Sequence, residues 1–180
     1  MKLALIDRDG VLNEELPNYV KSVNELTILP QAFEALRMLH ENEFTCVVVT
    51  NQSVVGRGII EQFTLDKIHK YLLHEIEAQG GKIAEVLVCT DHPSNASYRR
   101  KPKPGMLIEA LEKYNALPEK SPMIGDALTD MEAAHAAGCP RYLVMTGKGK
   151  SVMHSIANSL QPVTVCADIL DAAQRIISLY

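Results

Sequence analysis

"CVVVT", residues 46–50, puts apolar side chains on both faces of a strand rather than alternating them with polar ones. A strand with two apolar faces needs cover on both, the condition of a parallel sheet held between helices. The chain around it repeats this requirement. Apolar, β-rich runs recur at residues 3–6, 44–49, 83–89, 123–124, 142–145 and 163–166. Amphipathic stretches lie between them: Phe33, Leu36 and Leu39 in one, and Leu65, Ile68, Leu72 and Ile76 in another, at the spacings of a helix face. Pro30 sits where a helix can start, Thr64 can cap the next, and Gly80 with Gly81 can end it. Gly138, followed by Pro140, closes a helix predicted over about 129–137, and a last helix is predicted over roughly 168–179. Strands alternating with helices in this way predict βαβ units, hence a Rossmann-like three-layer α/β sandwich around a central parallel sheet of about six strands. With 180 residues and no linker, repeat or low-complexity tract, one domain over 1–180 is expected, with no large cap domain.

Composition narrows the function class. A hydrophobic share of 47% with 22% charged residues is that of a globular chain. The net charge of -4 and pI near 5.9 argue against a general nucleic-acid binder, so any anion must be met locally. No apolar stretch approaches the ~18 residues of a membrane span. Only four apolar residues follow Met1 and Lys2 before Asp7, too few for a secretory signal, so a cytoplasmic location without a membrane partner is expected. Cys46, Cys89, Cys139 and Cys166 are scattered and make neither a disulfide framework nor a full zinc set.

Polar clusters fall where the predicted strands end, and open parallel sheets bind ligands beyond those ends. The first strand runs into Asp7-Arg8-Asp9-Gly10, the second into Thr50-Asn51-Gln52-Ser53, the third into the basic loop "RRKPKPG" (99–105), and the fourth into "GDALTD" (125–130). Each has an ordinary reading. An isolated D-x-D is common in turns, "TNQS" is turn chemistry, the basic loop could be a solvated face, and Asp126 or Thr129 could simply cap a helix. Taken together they solve one problem. Asp7, Asp9 and Asp126 would repel one another unless a hard dication sat among them, and Mg²⁺ takes oxygen ligands together with substrate phosphate. A nearby lysine and a hydroxyl complete the equipment of phosphoryl transfer, where positioning and charge neutralisation dominate.

Asp7-x-Asp9-Gly10, Thr50, Lys101, and Gly125-Asp126 with Asp130 resemble the four ordered motifs of the haloacid dehalogenase (HAD) superfamily, over about residues 3–147. More narrowly, "DRDGVLN", Tyr19-Val20, "VVVTNQS", "RGI", "RKPKPGM", "IGD" and "DMEAA" are similar to the branch of heptose-bisphosphate and histidinol-phosphate phosphatases. The resemblance implies that Asp7 is a nucleophile and that Asp9 is the acid and then the base. It gives the metal ligands as Asp7, Asp126 and Asp9, the last through its main-chain carbonyl. Thr50 and Lys101, joined by Arg100, would hold the phosphoryl oxygens, and Asp130 would orient Lys101 or a metal-bound water. The substrate would be read by Glu15, Asn18, Tyr19 and Val20 after the first strand, by Asn51, Gln52 and Ser53 after the second, by Arg100 in the basic loop, and by Arg57 as a cation for a second phosphate.

The third loop departs from the branch. Many of these phosphatases carry a Cys-x-His…Cys-x-Cys zinc site there, whereas "CTDHPSNASYRRK" offers only Cys89 and His92, so no structural zinc is expected. The shorter loop is expected to leave Tyr98, Arg99 and Arg100 near the pocket. The expected activity is a Mg²⁺-dependent phosphatase acting on a small phosphorylated metabolite, foremost the 7-phosphate of a heptose 1,7-bisphosphate, as a monomer. A histidinol-phosphate phosphatase, with Glu14 or Glu15 meeting the amine, is the alternative. A polynucleotide 3′-phosphatase and a non-catalytic metabolite-binding module are further from the residues seen.

Overall fold

The computed structural model describes residues 1–179 and gives the alternation a definite order. Six strands, β1 (Lys2–Ile6), β2 (Phe44–Asn51), β3 (Glu85–Cys89), β4 (Met123–Gly125), β5 (Arg141–Val144) and β6 (Val163–Cys166), form one sheet. Every neighbouring pair is parallel, in the order β3-β2-β1-β4-β5-β6. The α-helices that connect and follow them are α1 (Pro30–Glu41), α2 (Ser53–Gly56), α3 (Gln62–Ala78), α4 (Gly105–Lys113), α5 (Leu128–Ala137), α6 (Gly149–Val152) and, after β6, α7 (Ile169–Leu179).

The period of two in the strands divides the core into layers. Ala4 and Ile6 of β1, with Cys46 and Val48 of β2, face α1, α3 and α7 through Leu36, Ile68, Leu72 and Ile176. Leu3, Leu5, Val47 and Val49 face the other way, onto Met106, Leu107 and Ala110 of α4 and Ala133 and Ala134 of α5. The run that decided the fold is covered on both sides. All four cysteines are buried free thiols. Among the described residues no helix is long and apolar enough to cross a membrane.

Several boundaries differ from the expectation. β2 continues to Asn51, which still pairs with Cys89, and β3 begins at Glu85 rather than 83. Helix α3 starts at Gln62, ahead of the expected cap Thr64, whose N–H donates to the Glu61 carbonyl at 3.0 Å. At α5 neither Asp126 nor Thr129 caps the helix; the N-cap is Ala127, and Asp130 reaches back so that its carboxylate accepts from the Ala127 N–H at 3.0 Å. Gly138 ends α5 at φ 77°, the left-handed turn for which glycine is suited. Helix α7 begins at Ile169, and the Asp168 carboxylate accepts from the N–H groups of Leu170 and Asp171.

The sheet order places β1 at the middle, with β2 on one side and β4 on the other. The chain's connections depart in opposite directions there, which opens a crevice beyond the carboxyl ends of the strands.

Candidate active site

Register brings the polar strand ends to one level. Ile6 pairs with Val48 of β2 and with Ile124 of β4, and the Asp7 N–H donates to the Ile124 carbonyl at 2.9 Å. Asp7, Thr50 and Asp126 therefore emerge side by side, a residue or two past the last pairs. All three are buried, as are Lys101 and Asp130.

The basic loop between β3 and α4 is fastened to β2 by a reciprocal pair. Asn51 Nδ2 donates to the Lys101 carbonyl at 2.9 Å, and the Lys101 N–H donates to Asn51 Oδ1 at 3.1 Å. The latch fixes where Lys101 leaves the loop. Its ammonium donates to the Val49 carbonyl at 2.7 Å and lies 2.9 Å from Asp7 Oδ1 and 2.6 Å from Asp130 Oδ1. Burial opposes its charge, but the two carboxylates outweigh that and hold the lysine above its ordinary pKa.

Asp126 sits between two glycines of positive φ, Gly10 at 80° and Gly147 at 53°, and a Cβ on either would collide with its carboxylate. Its Oδ2 accepts from the Lys148 N–H at 2.7 Å. Burial, and then repulsion by Asp7 and Asp130, pushes the Asp126 carboxyl up to about 8. Burial and Asp130 push Asp7 up to about 7 despite Lys101. One carboxylate oxygen from each of Asp7, Asp126 and Asp130 lies within 4.8 Å of the others, among buried residues. A buried all-oxygen set whose carboxylates repel one another suits a hard dication, which would relieve both burial and repulsion. Both oxygens of Asp130 are engaged, Oδ1 by Lys101 and Oδ2 by the Ala127 N–H, whereas Asp7 and Asp126 each have one oxygen bonded, to Lys101 and to the Lys148 N–H, and keep the other to ligate.

The Asp9 side chain turns away from this cluster. It accepts from Asn13 Nδ2 at 2.9 Å, from Gln52 Nε2 at 2.6 Å and from Arg8 Nη2 at 2.9 Å. Burial acts to raise its pKa, but the Arg8 charge and these bonds outweigh that and leave it below the usual carboxylate value. Among the expected metal ligands, then, Asp9 has its carboxylate off the cluster, and Asp130 stands where that carboxylate does not.

Asp7, Asp9, Thr50, Lys101 and Asp126 line one cavity of about 320 Å³. The expected Glu15, Tyr19, Val20, Asn51, Gln52, Ser53, Arg57 and Arg100 also line it. Asn18 does not: it is exposed, and its carbonyl accepts from Lys21 Nζ at 3.1 Å. Of the basic residues expected nearby, Arg100 is a wall and donates to the Asp91 carbonyl at 3.1 Å, whereas Arg99 pairs with Glu109 and Tyr98 is exposed. His92 accepts from the Ser94 N–H at 3.2 Å.

Lys148, in the segment after β5, joins the walls unforeseen and pairs through Nζ with Glu15 Oε1 at 2.6 Å. Its signal in the sequence, the basic "TGKGK" just past a predicted strand end, was legible but had no partner until Glu15 came beside it. Arg8 was also unforeseen. It is fully buried, with Nη1 3.0 Å from His69 Nε2 of α3. The signal there is parity, because Arg8 follows Ala4 and Ile6 onto the face of β1 that packs against α3.

Three comparisons bear on this geometry. The sequence model of the HAD-hydrolase-like family matches residues 98–172. A D-glycero-beta-D-manno-heptose-1,7-bisphosphate 7-phosphatase of Bordetella bronchiseptica is 33% identical over 177 residues, covering 98% of each chain. One of the same name from Pseudomonas putida is 35% identical over 175 residues, 97% of this chain and 98% of the relative. The crystal structure of the B. bronchiseptica D,D-heptose 1,7-bisphosphate phosphatase, complexed with magnesium and phosphate, superposes with a TM-score of 0.96 at 33% identity over 100% of both chains.

Proposed function

The chain belongs to the HAD-type heptose-bisphosphate phosphatases, and from that premise we propose that it hydrolyses the 7-phosphate of D-glycero-β-D-manno-heptose 1,7-bisphosphate with Mg²⁺. The observation that carries this reading is the buried contact of Lys101 with Asp7 and Asp130 beside Asp126, at the mouth between β1 and β4. Asp7 and Asp126, with the Asp9 carbonyl, would hold the metal, whose charge offsets that of the substrate phosphate.

The chain's own groups do the rest. An Asp7 carboxylate oxygen attacks phosphorus, an O–P bond forms, and the bond from phosphorus to the sugar oxygen breaks, leaving an aspartyl phosphate. Arg8 favours the ionised form of Asp9 in the free site, so Asp9 must take up a proton as the negative phosphate binds beside it, a like charge that raises its pKa. It then gives that proton to the departing oxygen. Asp9, now ionised, takes a proton from water as that water attacks the phosphorus, releasing inorganic phosphate and restoring Asp7. Thr50 and Lys101 hold the transferring oxygens, where fixed donors stabilise the charge that grows in the transition state. Asp130 keeps Lys101 aimed.

The distal phosphate would meet Arg57, Arg100 and Lys148 on the cavity wall. Pairing of Glu15 with Lys148 disfavours the histidinol-phosphate alternative, since of the two carboxylates offered for an amine Glu15 is engaged and Glu14 is not a wall of the cavity. With a soluble, highly charged sugar as substrate, we place the protein in the cytoplasm as a monomer, without nucleic acid or membrane as partner.

Specificity constants test the reading. With Mg²⁺, kcat/KM for the β-heptose bisphosphate should exceed that for the α anomer, fructose 1,6-bisphosphate and histidinol phosphate by orders of magnitude, and EDTA should stop turnover. Comparable values for histidinol phosphate would overturn it. Asp7→Asn should abolish phosphate release while circular dichroism and Tm stay near wild type; steady turnover by that variant would remove Asp7 from its role.

A further inference from the structure

The chemistry described above leaves Arg8 and His69 without a task, although Arg8 is the largest fully buried side chain and carries a charge. Such a charge is costly to bury unless its partners are well placed. We infer that His69 and Arg8 form a positioning pair that fixes the Asp9 carboxylate for proton transfer, with His69 acting through Arg8. The inference rests on the reading of Asp9 as acid and base.

Asp9 needs such support because it lies beyond the end of β1, in a loop, where no regular element fixes its side chain. A guanidinium only donates, so His69 Nε2, 3.0 Å from Arg8 Nη1, must be the acceptor and the ring proton must sit on Nδ1. Arg8 Nη2 spans the carboxylate, 2.9 Å from both Oδ1 and Oδ2 of Asp9, and also donates to Gln52 Oε1 at 3.1 Å. Gln52 closes the ring by donating to Asp9 Oδ2 at 2.6 Å and to Thr50 Oγ1 at 2.9 Å.

Both Asp9 oxygens are thus tied to rigid elements, to β2 through Gln52 and Thr50 and to α3 through Arg8 and His69. The Arg8 Nε has no partner, so the tilt of the planar fork is set from its far end, by His69 on Nη1. Helix α3 holds that ring still, because Ile68 and Leu72 beside it are buried in the core. A small error in the fork would swing Asp9 away from the oxygen it must reach, and proton transfer is sensitive to such errors.

Leaving-group chemistry separates positioning from mere packing. Departure of a sugar alkoxide needs the Asp9 proton, whereas departure of 4-nitrophenolate hardly does, and kcat/KM reports only the steps through that departure. For His69→Leu, kcat/KM on the heptose bisphosphate should fall roughly 10- to 100-fold, part of the ~10²- to 10⁴-fold attributed to proton transfer. On 4-nitrophenyl phosphate it should change less than about threefold, within the context-dependence of such effects.

His69→Gln, which keeps an acceptor, should recover most of the loss. Arg8→Lys, which cannot span Asp9 and His69 together, should behave like His69→Leu. If His69→Leu does not fold, His69→Asn, polar but too short to reach Arg8, replaces it. Equal losses on both substrates, or wild-type values on both, would overturn the inference. Asp9→Asn is measured alongside: if it keeps wild-type activity on the heptose bisphosphate, the reading of Asp9 fails, and the pair is then only structural.

Discussion

At the scale of single residues, the site depends on groups held where their chemistry alone would not leave them. Asp126 is fenced by Gly10 and Gly147, so a methyl group at either position strikes its carboxylate. Gly147→Ala also places a side chain on left-handed backbone, at φ 53°. This variant should bind Mg²⁺ at least about tenfold more weakly by calorimetry, the scale typical of lost support around a metal ligand. Lys101→Met removes the cation between two buried carboxylates, and a charge left without its partner in the interior is penalised heavily. Its kcat/KM should fall by ~10²- to 10³-fold, the usual effect of losing one donor to a developing oxyanion. A loss under tenfold would show that Lys101 is a structural counter-ion only.

At the scale of elements, stability and chemistry are carried by different parts. Helix α7 packs on α1 through Ala172, Ala173 and Ile176, and neither helix supplies a wall of the cavity. Ile176→Ala should therefore lower unfolding free energy by about 2–5 kcal/mol in urea titrations, the transfer and cavity cost of a buried aliphatic side chain. Its kcat should stay within about twofold of wild type, as expected for sites that do not couple. The elements were legible because their patterns are local. Four apolar positions at three- and four-residue spacing fixed α3, and a two-faced apolar run fixed β2. Their ends were less legible. Helix α5 lacks the expected hydroxyl or carboxylate at its cap because Asp130 caps it from inside the first turn while also holding Lys101.

At the scale of the whole molecule, the buried carboxylates make stability depend on pH and metal. Asp7 and Asp126 move from an ordinary value of 3.8 to about 7 and about 8. Groups raised in the folded state bind more protons there, so stability falls as pH rises from 3.8 through those values. His69, lowered from 6.5 to about 4, works in the opposite direction between those limits. The carboxylates therefore dominate above pH 6.5. In EDTA, Tm should decline between pH 6.5 and 8, and saturating Mg²⁺ should raise it more at pH 8 than at 6.5, since the metal competes with protons. A flat profile in EDTA would show that the cluster is better solvated than its burial implies.

The sequence by itself determined the parallel α/β architecture and which strand ends carry acid, hydroxyl and cation, because hydrophobic period and strand-end placement are written in neighbouring residues. Tertiary structure alone decided which way those groups turn. It swung Asp9 onto Arg8, set His69 behind Arg8, paired Lys148 with Glu15 and left Asn18 outside. Such contacts join residues up to 133 positions apart, as Lys148 is from Glu15, and only sheet order and burial bring them together.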